Sequence, residues 1–552
     1  MYIRIKKTPR NKNISVQLVE SFRLEGKIKQ RVIRHIGTAK TKEKIKELKR
    51  IAETIKIDIT HKKLGQSVPD DNNTRKFLGE TQEVSDKLLI NASSLEECQR
   101  YILGIHDIYG YIYDHLGFSN PFCQPKRREF AAKILREIVL ARIADPSSKR
   151  SSVELLNEKF GIHINLDNVC QMMDKIDDKF CEKIQKSALS TALRLTDDKL
   201  RILFYDATTL YFESFSEDEL KQNDYSKDMK FNQSQVLLAL FVTEKGLPVG
   251  YEIFPGSTYE GHTLIAVLEK LKQRYQLEEI FFVADRGLLS DENLKYFEDN
   301  NYKYIVGARI KNVSAKLKSK ILNKQNYTVM QNNPDQKIAE FDYISNRFLI
   351  VNYSPERARK DAYDREKSIE KLEKKLKKSK NPQSLVSNYG YKKYISITGD
   401  AAIEINKIKI ENDMQWDGLA GIITNMKNTT GEEAFSYYRG LWQIEECFRI
   451  KKHDLKIGPI YHWTPQRVKA HIAINFIAFV CIRYLEYRLA IQSQKSSPAK
   501  IRDSLMQVQA SIIKDNKTNQ HFLLPSKIHP LAKEIYRILK IKAPKKIMTL
   551  KV

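Results

Sequence analysis

The 552-residue chain reads as an α/β protein, a mixed sheet with helices on its faces, and three observations predict it. Short apolar runs at 200–205, 235–243, 247–254, 279–284 and 304–308 have strand length and are rich in β-branched and aromatic residues. Between them, Leu264, Val267, Leu268, Leu271 and Tyr275 sit at helical spacing, and Ser290 can cap a helix through Phe297. The resulting order, strand, hairpin, helix, strand, helix, strand, belongs to a mixed rather than a purely antiparallel sheet. A hydrophobic fraction of 41% is ample for packed cores.

The other elements follow along the chain. Residues 1–63 hold 19 Lys and Arg against 6 Asp and Glu, a net +13 out of the chain's +27. Within them 14–21 alternates as a strand, Glu25-Gly26 makes a turn, 29–36 alternates again, and 42–57 reads as a basic helix. Charge concentrated in a small foldable unit of β-hairpin and helix points to nucleic-acid phosphates. Residues 64–92 read as a linker, with Gly65, Pro69 and Asp70-Asp71-Asn72-Asn73 in their polar part. Residues 93–195 read as helical and DNA-binding, interrupted by the basic loop Pro146-Ser147-Ser148-Lys149-Arg150.

The catalytic core is expected to start at 196–308. Residues 309–425 break its rhythm: strand-like runs at 326–330, 338–351, 393–398 and 418–424 surround a charged helix at 364–380, which reads as a β-rich insertion. Helix returns at 432–452 and 466–489, and 491–552 reads as a small basic tail.

Composition also excludes classes. A pI near 9.5 suits DNA, RNA or an anionic membrane surface, not cationic or neutral small substrates. Residues 1–12 have no apolar signal-peptide region, and the most apolar stretch, 472–482, is short of the ~20 residues of a membrane span, so a buried core helix is expected there. Six cysteines lie far apart with no CxxC, and eleven histidines show no H-x3-H or HExxH spacing. A cytoplasmic, nucleoid-associated protein with reduced thiols is expected.

Three acids stand out. Asp206 and Asp285 each close an apolar strand; taken singly, such an Asp is most often a turn residue. Two in one mixed sheet can lie side by side, where a divalent cation relieves their repulsion. Glu445 sits in a helical pattern where Tyr438, Glu445 and Lys452 recur every seven residues, flanked by Leu441, Trp442 and Phe448. A carboxylate there needs a cationic partner or a metal. Two Asp and one Glu around paired Mg2+ ions make a phosphoryl-transfer site.

Those segments resemble the DDE transposases of bacterial insertion sequences, in the Tn-five-like class. Its hallmark Tyr-x2-Arg-x3-Glu-x6-Lys appears as Tyr438-x2-Leu441-x3-Glu445-x6-Lys452. Asp206-Ala207-Thr208-Thr209 and Asp285-Arg286-Gly287 resemble its first and second Asp motifs, and 245–251, Pro255-Gly256-Ser257-Thr258 and Gly261-His262-Thr263 fit the group. The hallmark Arg is Leu441, and neither Arg439 nor Arg449 lies on the Tyr438–Glu445–Lys452 stripe.

The resemblance implies an RNase-H-like core, with Asp206, Asp285 and Glu445 as catalytic metal ligands for Mg2+ (Mn2+ able to substitute). It implies Tyr438, Lys452, Arg286 and Arg449 near DNA phosphates, double-stranded DNA at terminal inverted repeats and target sites as partner, and a homodimer on paired ends. Two other readings fit the same residues: a nuclease of this fold without strand transfer, and a non-catalytic DNA-binding relic.

Overall fold

Alternating β-branched and basic residues build an N-terminal antiparallel sheet. Strand β1 (Tyr2–Lys7) pairs with β2 (Ile14–Leu24), and β2 pairs with β3 (Lys27–Ala39). Val16, Ala39, Leu48 and Ala52 form its core. The computed structural model describes residues 2–7, 14–24, 27–39, 45, 48–49, 52, 80–83, 92–119, 127–196, 202–212, 217–222, 233–258, 263, 265, 267, 269–270, 281–288, 290–344, 347–378, 393–398, 402–492 and 496–551. The expected turn Glu25-Gly26, most of the 42–57 helix and most of the 64–92 linker lie outside the described residues.

The linker nevertheless supplies β4 (Glu80–Glu83), and the stretch expected to be helical opens with β5 (Leu95–Ile102). Helices α1 (Arg127–Ala144), α2 (Lys149–Phe160), α3 (Leu166–Met173) and α4 (Asp178–Leu195) follow. Side chains of Ser148, Asn165 and Asp177 accept N–H bonds at the starts of α2, α3 and α4, groups the helices cannot satisfy internally.

Strand β6 (Ile202–Tyr211) runs six residues past its expected end at 205, because Ala207, Thr208 and Leu210 remain buried beyond the acid. Hairpin β7 (Gln235–Thr243) and β8 (Pro248–Pro255) turns at Gly246, which holds a left-handed φ of 69°. Then come β9 (Phe281–Ala284), α5 (Asp291–Asp299) capped by Ser290 as expected, and β10 (Lys303–Gly307).

Residues 309–425 contribute α6 (Ala315–Leu322), β11 (Thr328–Val329), β12 (Lys337–Tyr343), β13 (Arg347–Tyr353), α7 (Pro355–Lys378), β14 (Ile395–Thr398), β15 (Ala402–Ile405), α8 (Lys407–Met414) and β16 (Leu419–Thr424). Four of these strands extend the core sheet: the order is β11-β12-β13-β16-β10-β9-β6, with β16 between β13 and β10. Strands β14 and β15 form a separate pair, packed with α7 through Leu372, Tyr394 and Ile395.

The single helix expected over 432–452 is broken. Helix α9 (Gly431–Arg439) closes with Gly440 and Leu441 donating to carbonyls three residues back, α10 (Trp442–Arg449) starts afresh, and a π-helical turn covers Ile450–Asp454. Helix α11 (Pro465–Gln492) is long and apolar enough to cross a membrane by length and composition, but 89% of its apolar window is buried in the protein, as a core helix requires.

The expected small tail is fully folded: α12 (Pro498–Met506), β17 (Gln509–Asp515), β18 (His521–Pro525), α13 (Pro530–Leu539) and β19 (Met548–Lys551). Its strands join β4 and β5 in a five-stranded sheet of order β4-β19-β18-β17-β5, in which Glu83 faces Met548.

The chain forms two compact units. The first comprises 1–201, 206–258 and 443–552; the second comprises 202–205 and 259–442.

Candidate active site

In the second unit, the buried residues Ile202 to Tyr205 of β6 run parallel to β9, with register pairs from Ile202↔Phe281 to Tyr205↔Ala284. Asp206 and Asp285 are the residues that directly follow Tyr205 and Ala284 along the chain. Asp285 leaves the strand, is exposed, and is followed by a 3-10 turn at Arg286–Leu288.

Helix α9 places Tyr438 beside Asp285. Thr430 and Glu433 form a capping box at its start, and the Gly431 N–H donates to Glu340 at 2.7 Å. Tyr437 packs on Phe281 with ring centroids 5.0 Å apart, and Gly440 passes so close to Phe204 that any side chain there would strike the ring. So held, Tyr438 donates its hydroxyl to the Asp285 carboxylate at 3.5 Å. Burial and the Asp285 charge push the Tyr438 pKa up, so it stays a donor. On β10, a Cβ at Gly307 would collide with that hydroxyl.

A cleft of about 600 Å³ opens at this point, lined by Asp285, Arg286, Arg309, Lys311, Arg357 and Tyr438 among others. Lys311 pairs with Asp413 at 2.7 Å and Arg357 with Asp361 at 3.7 Å. Arg309, Lys311 and Arg357 escaped the sequence reading. Arg309-Ile310-Lys311 carried a signal, since two cations follow an apolar strand as Asp285-Arg286 does; Arg357, within a charged helix, carried none.

The first unit holds Asp206, Glu445, Arg449 and Lys452. Asp206 is half-buried within β6, not at its end, and accepts the Ala207 N–H at 2.8 Å. On α10, Ile444, Cys447 and Phe448 are buried while Glu445 is exposed. The Cys447 thiol donates to the Gly246 carbonyl at 3.7 Å, and Arg483 donates to the same oxygen at 2.8 Å, tying the helix to the β7–β8 turn.

Arg449 is bound to Glu446 through two bonds of 2.6 and 2.8 Å and lies 3.6 Å from Asp454. Lys452 is exposed in the π turn, whereas its neighbour Lys451 is fully buried. The continuous Tyr438–Glu445–Lys452 stripe is therefore corrected. It assumed 3.6 residues per turn throughout, and the helix breaks at Gly440-Leu441 and widens after Arg449. Leu441 is buried, and Arg439 is engaged by Gln336 and Asn352.

Among the described residues, no three His, Cys, Asp or Glu side chains lie close enough to hold a metal ion. The donor chemistry still fits a hard divalent cation, since all three acids offer carboxylate oxygens, and two of them directly follow paired parallel residues.

The cleft at Asp285, with Arg286, Arg309, Lys311 and Arg357 in its lining, is suited to a polyanionic substrate. Residues 197–481 match the family model of the transposase DDE domain, about half of the chain, so the chain belongs to the DDE transposase family. Residues 3–60 match the N-terminal domain of IS1634 family transposases. It is an enzyme of DNA transposition, in a family whose chemistry depends on divalent metal.

Comparison with curated proteins gives no match. Among solved structures, a piggyBac transposase synaptic complex with hairpin DNA is similar at 9% identity over 80% of each chain, with a TM-score of 0.39. A Mos1 transposase paired-end complex with left transposon end matches at 16% identity over 33% of this chain and 59% of that one, with a TM-score of 0.14.

Proposed function

We propose that this transposase cuts at the terminal inverted repeats of an insertion sequence and joins the freed 3′-OH ends to target DNA. The observation that carries this reading is the Tyr205↔Ala284 register, which makes Asp206 and Asp285 consecutive to a parallel pair. With Glu445 they would hold Mg2+, or Mn2+ in its place, which lowers the pKa of water and stabilises the leaving oxygen. Attack of water on the phosphodiester at each end would break its P–O3′ bond and free the element's 3′-OH, and attack of that hydroxyl on a target phosphodiester would form the new P–O bond as the target's own 3′-oxygen leaves.

The chain's own residues orient these groups. Tyr438 holds the Asp285 carboxylate in one rotamer, and Arg286 and Lys452 steady phosphates near the acids. Arg449, whose guanidinium also bonds Glu446, adds a further phosphate contact. The basic 1–63 unit and the helices of 93–195 grip the repeat mainly through phosphates. A homodimer on paired ends, working in the cytoplasm at the nucleoid, completes the reading.

The test is Mg2+-dependent nicking of a labelled terminal repeat by wild type and Asp206→Asn at matched occupancy. Nicking should vanish with end binding retained, because phosphate contacts dominate affinity. A mutant that nicks at the wild-type rate removes Asp206 from the site. Pre-cut ends offered with target DNA should yield joined product, which a simple nuclease would not make.

A further inference from the structure

Residues 530–551 lie outside both matched stretches and carry Lys533, Arg537, Lys540, Lys542, Lys545, Lys546 and Lys551 against Glu534 alone. They are firmly built. Pro530 opens α13, whose inner face buries Ala532, Ile535, Tyr536, Ile538 and Leu539. The Tyr536 hydroxyl donates to the buried Asp107 carboxylate at 2.6 Å.

At its end, the Lys540 N–H donates to the Arg537 carbonyl at 3.3 Å and the Ile541 N–H to the Tyr536 carbonyl at 3.0 Å, a Schellman closure with Lys540 at a left-handed φ of 59°. The chain therefore doubles back, and 541–548 borders a cleft of about 910 Å³ against the outer face of α13. Lys533, Arg537, Lys542, Lys545 and Lys546 line it and are exposed. Glu534, the one acid among the lining residues, pairs with Arg537 at 3.7 Å.

We propose that this C-terminal cleft grips duplex DNA by its phosphates without reading sequence, and so holds target DNA rather than the element's own ends. Four of the five cations are lysines, compact point charges suited to phosphate, whereas bidentate reading of guanine is chiefly the work of arginine. Phosphate contacts fix position and carry no sequence information. A repeat of defined sequence needs base contacts besides its phosphate contacts, whereas a target of variable sequence needs phosphate contacts alone. The role as target holder rests on the transposase reading above.

The experiment uses the full chain with Lys533→Gln, Arg537→Gln and Lys545→Gln combined, and a charge-keeping control of Lys533→Arg with Lys545→Arg. Binding to a random-sequence duplex and to a terminal-repeat duplex is measured across salt. The Gln variant should lose at least ~10-fold in affinity for the random duplex, and its log–log salt slope should shrink by roughly 3, one unit per phosphate contact. Repeat binding should stay within about 2-fold, the Arg control should match wild type, and the thermal midpoint should not move. An unchanged random-duplex slope overturns the proposal, as does an equal loss on both duplexes. Wild type showing no preference for the repeat would count against the transposase reading, while the random-duplex arm still decides the cleft.

Discussion

Tyr438 donates its hydroxyl to the carboxylate of Asp285 across 3.5 Å, tying the motif tyrosine to an acid of the expected catalytic set. Tyr438→Phe deletes that bond and nothing else of the ring. A neutral-to-charged hydrogen bond of this length in a half-open cleft contributes at most ~1 kcal/mol to stability. The thermal midpoint should therefore barely move, while nicking of a terminal repeat should fall roughly 10-fold at matched occupancy, which is ~1.4 kcal/mol of lost positioning. Nicking at the wild-type rate would show that Asp285 does not need this partner.

Gly307 leaves the space that the Tyr438 hydroxyl occupies. Gly307→Ala should destabilise by ~1–3 kcal/mol through overpacking. Combining it with Tyr438→Phe removes the colliding oxygen, so the double mutant should be more stable than the sum of the singles by ~1 kcal/mol. Denaturant melts of the four proteins give this coupling directly; additive losses would place the strain elsewhere, for instance at the nearby Arg286 backbone.

Lys451 is fully buried, its ammonium has no hydrogen-bond partner among the described residues, and it lies over the rings of Phe476 and Phe479 at 5.7 and 5.3 Å. Burial pulls its pKa down from 10.5 to about 7, against the weaker pull of the rings and of Cys447 toward the charged form. Between those two values the unfolded chain binds the extra proton, so stability should rise with pH from about 7 to 10.5 and be flat in this contribution below 7. Lys451→Met should raise the thermal midpoint at pH 7 and remove that part of the slope. Melts from pH 6 to 10 decide it; parallel curves for the two proteins would mean that Lys451 keeps its charge.

Lys540 ends α13 in the left-handed region, at the position where glycine is favoured. Lys540→Gly should stabilise the protein by up to ~1 kcal/mol, since the strain of a Cβ there is relieved. Urea midpoints provide the measurement. A lower midpoint for the glycine variant would show that the lysine side chain contributes more than its backbone costs.

Much of the local structure was legible along the chain because its signals are local. The apolar run before Asp285, the cap at Ser290, the Gly246 turn and the hairpin of β2 and β3 depend on residues within a few positions of one another. Asp206 was found for the right strand but at the wrong place in it, since only the packing of Ala207, Thr208 and Leu210 carries β6 onward. The helix through Glu445 misled for a related reason. Its periodicity over 432–452 is helical on both sides of Gly440-Leu441, and the break appears only where Gly440 meets Phe204.

By itself, the sequence determined the chain's basic character, the alternation and capping of most elements, and the candidate acids with their motif spacing, because period, cap and charge are written in neighbouring residues. The tertiary structure alone decided which strands are partners: β16 between β13 and β10, and Glu80–Glu83 against Met548–Lys551 from the far end of the chain. It also decided that Arg309, Lys311 and Arg357 share a cleft with Asp285, and that Lys542, Lys545 and Lys546 face Lys533 and Arg537. An extended strand offers the same backbone donors and acceptors to any partner. Which one it takes is set by the side chains each pairing buries, and those come from residues far apart along the chain.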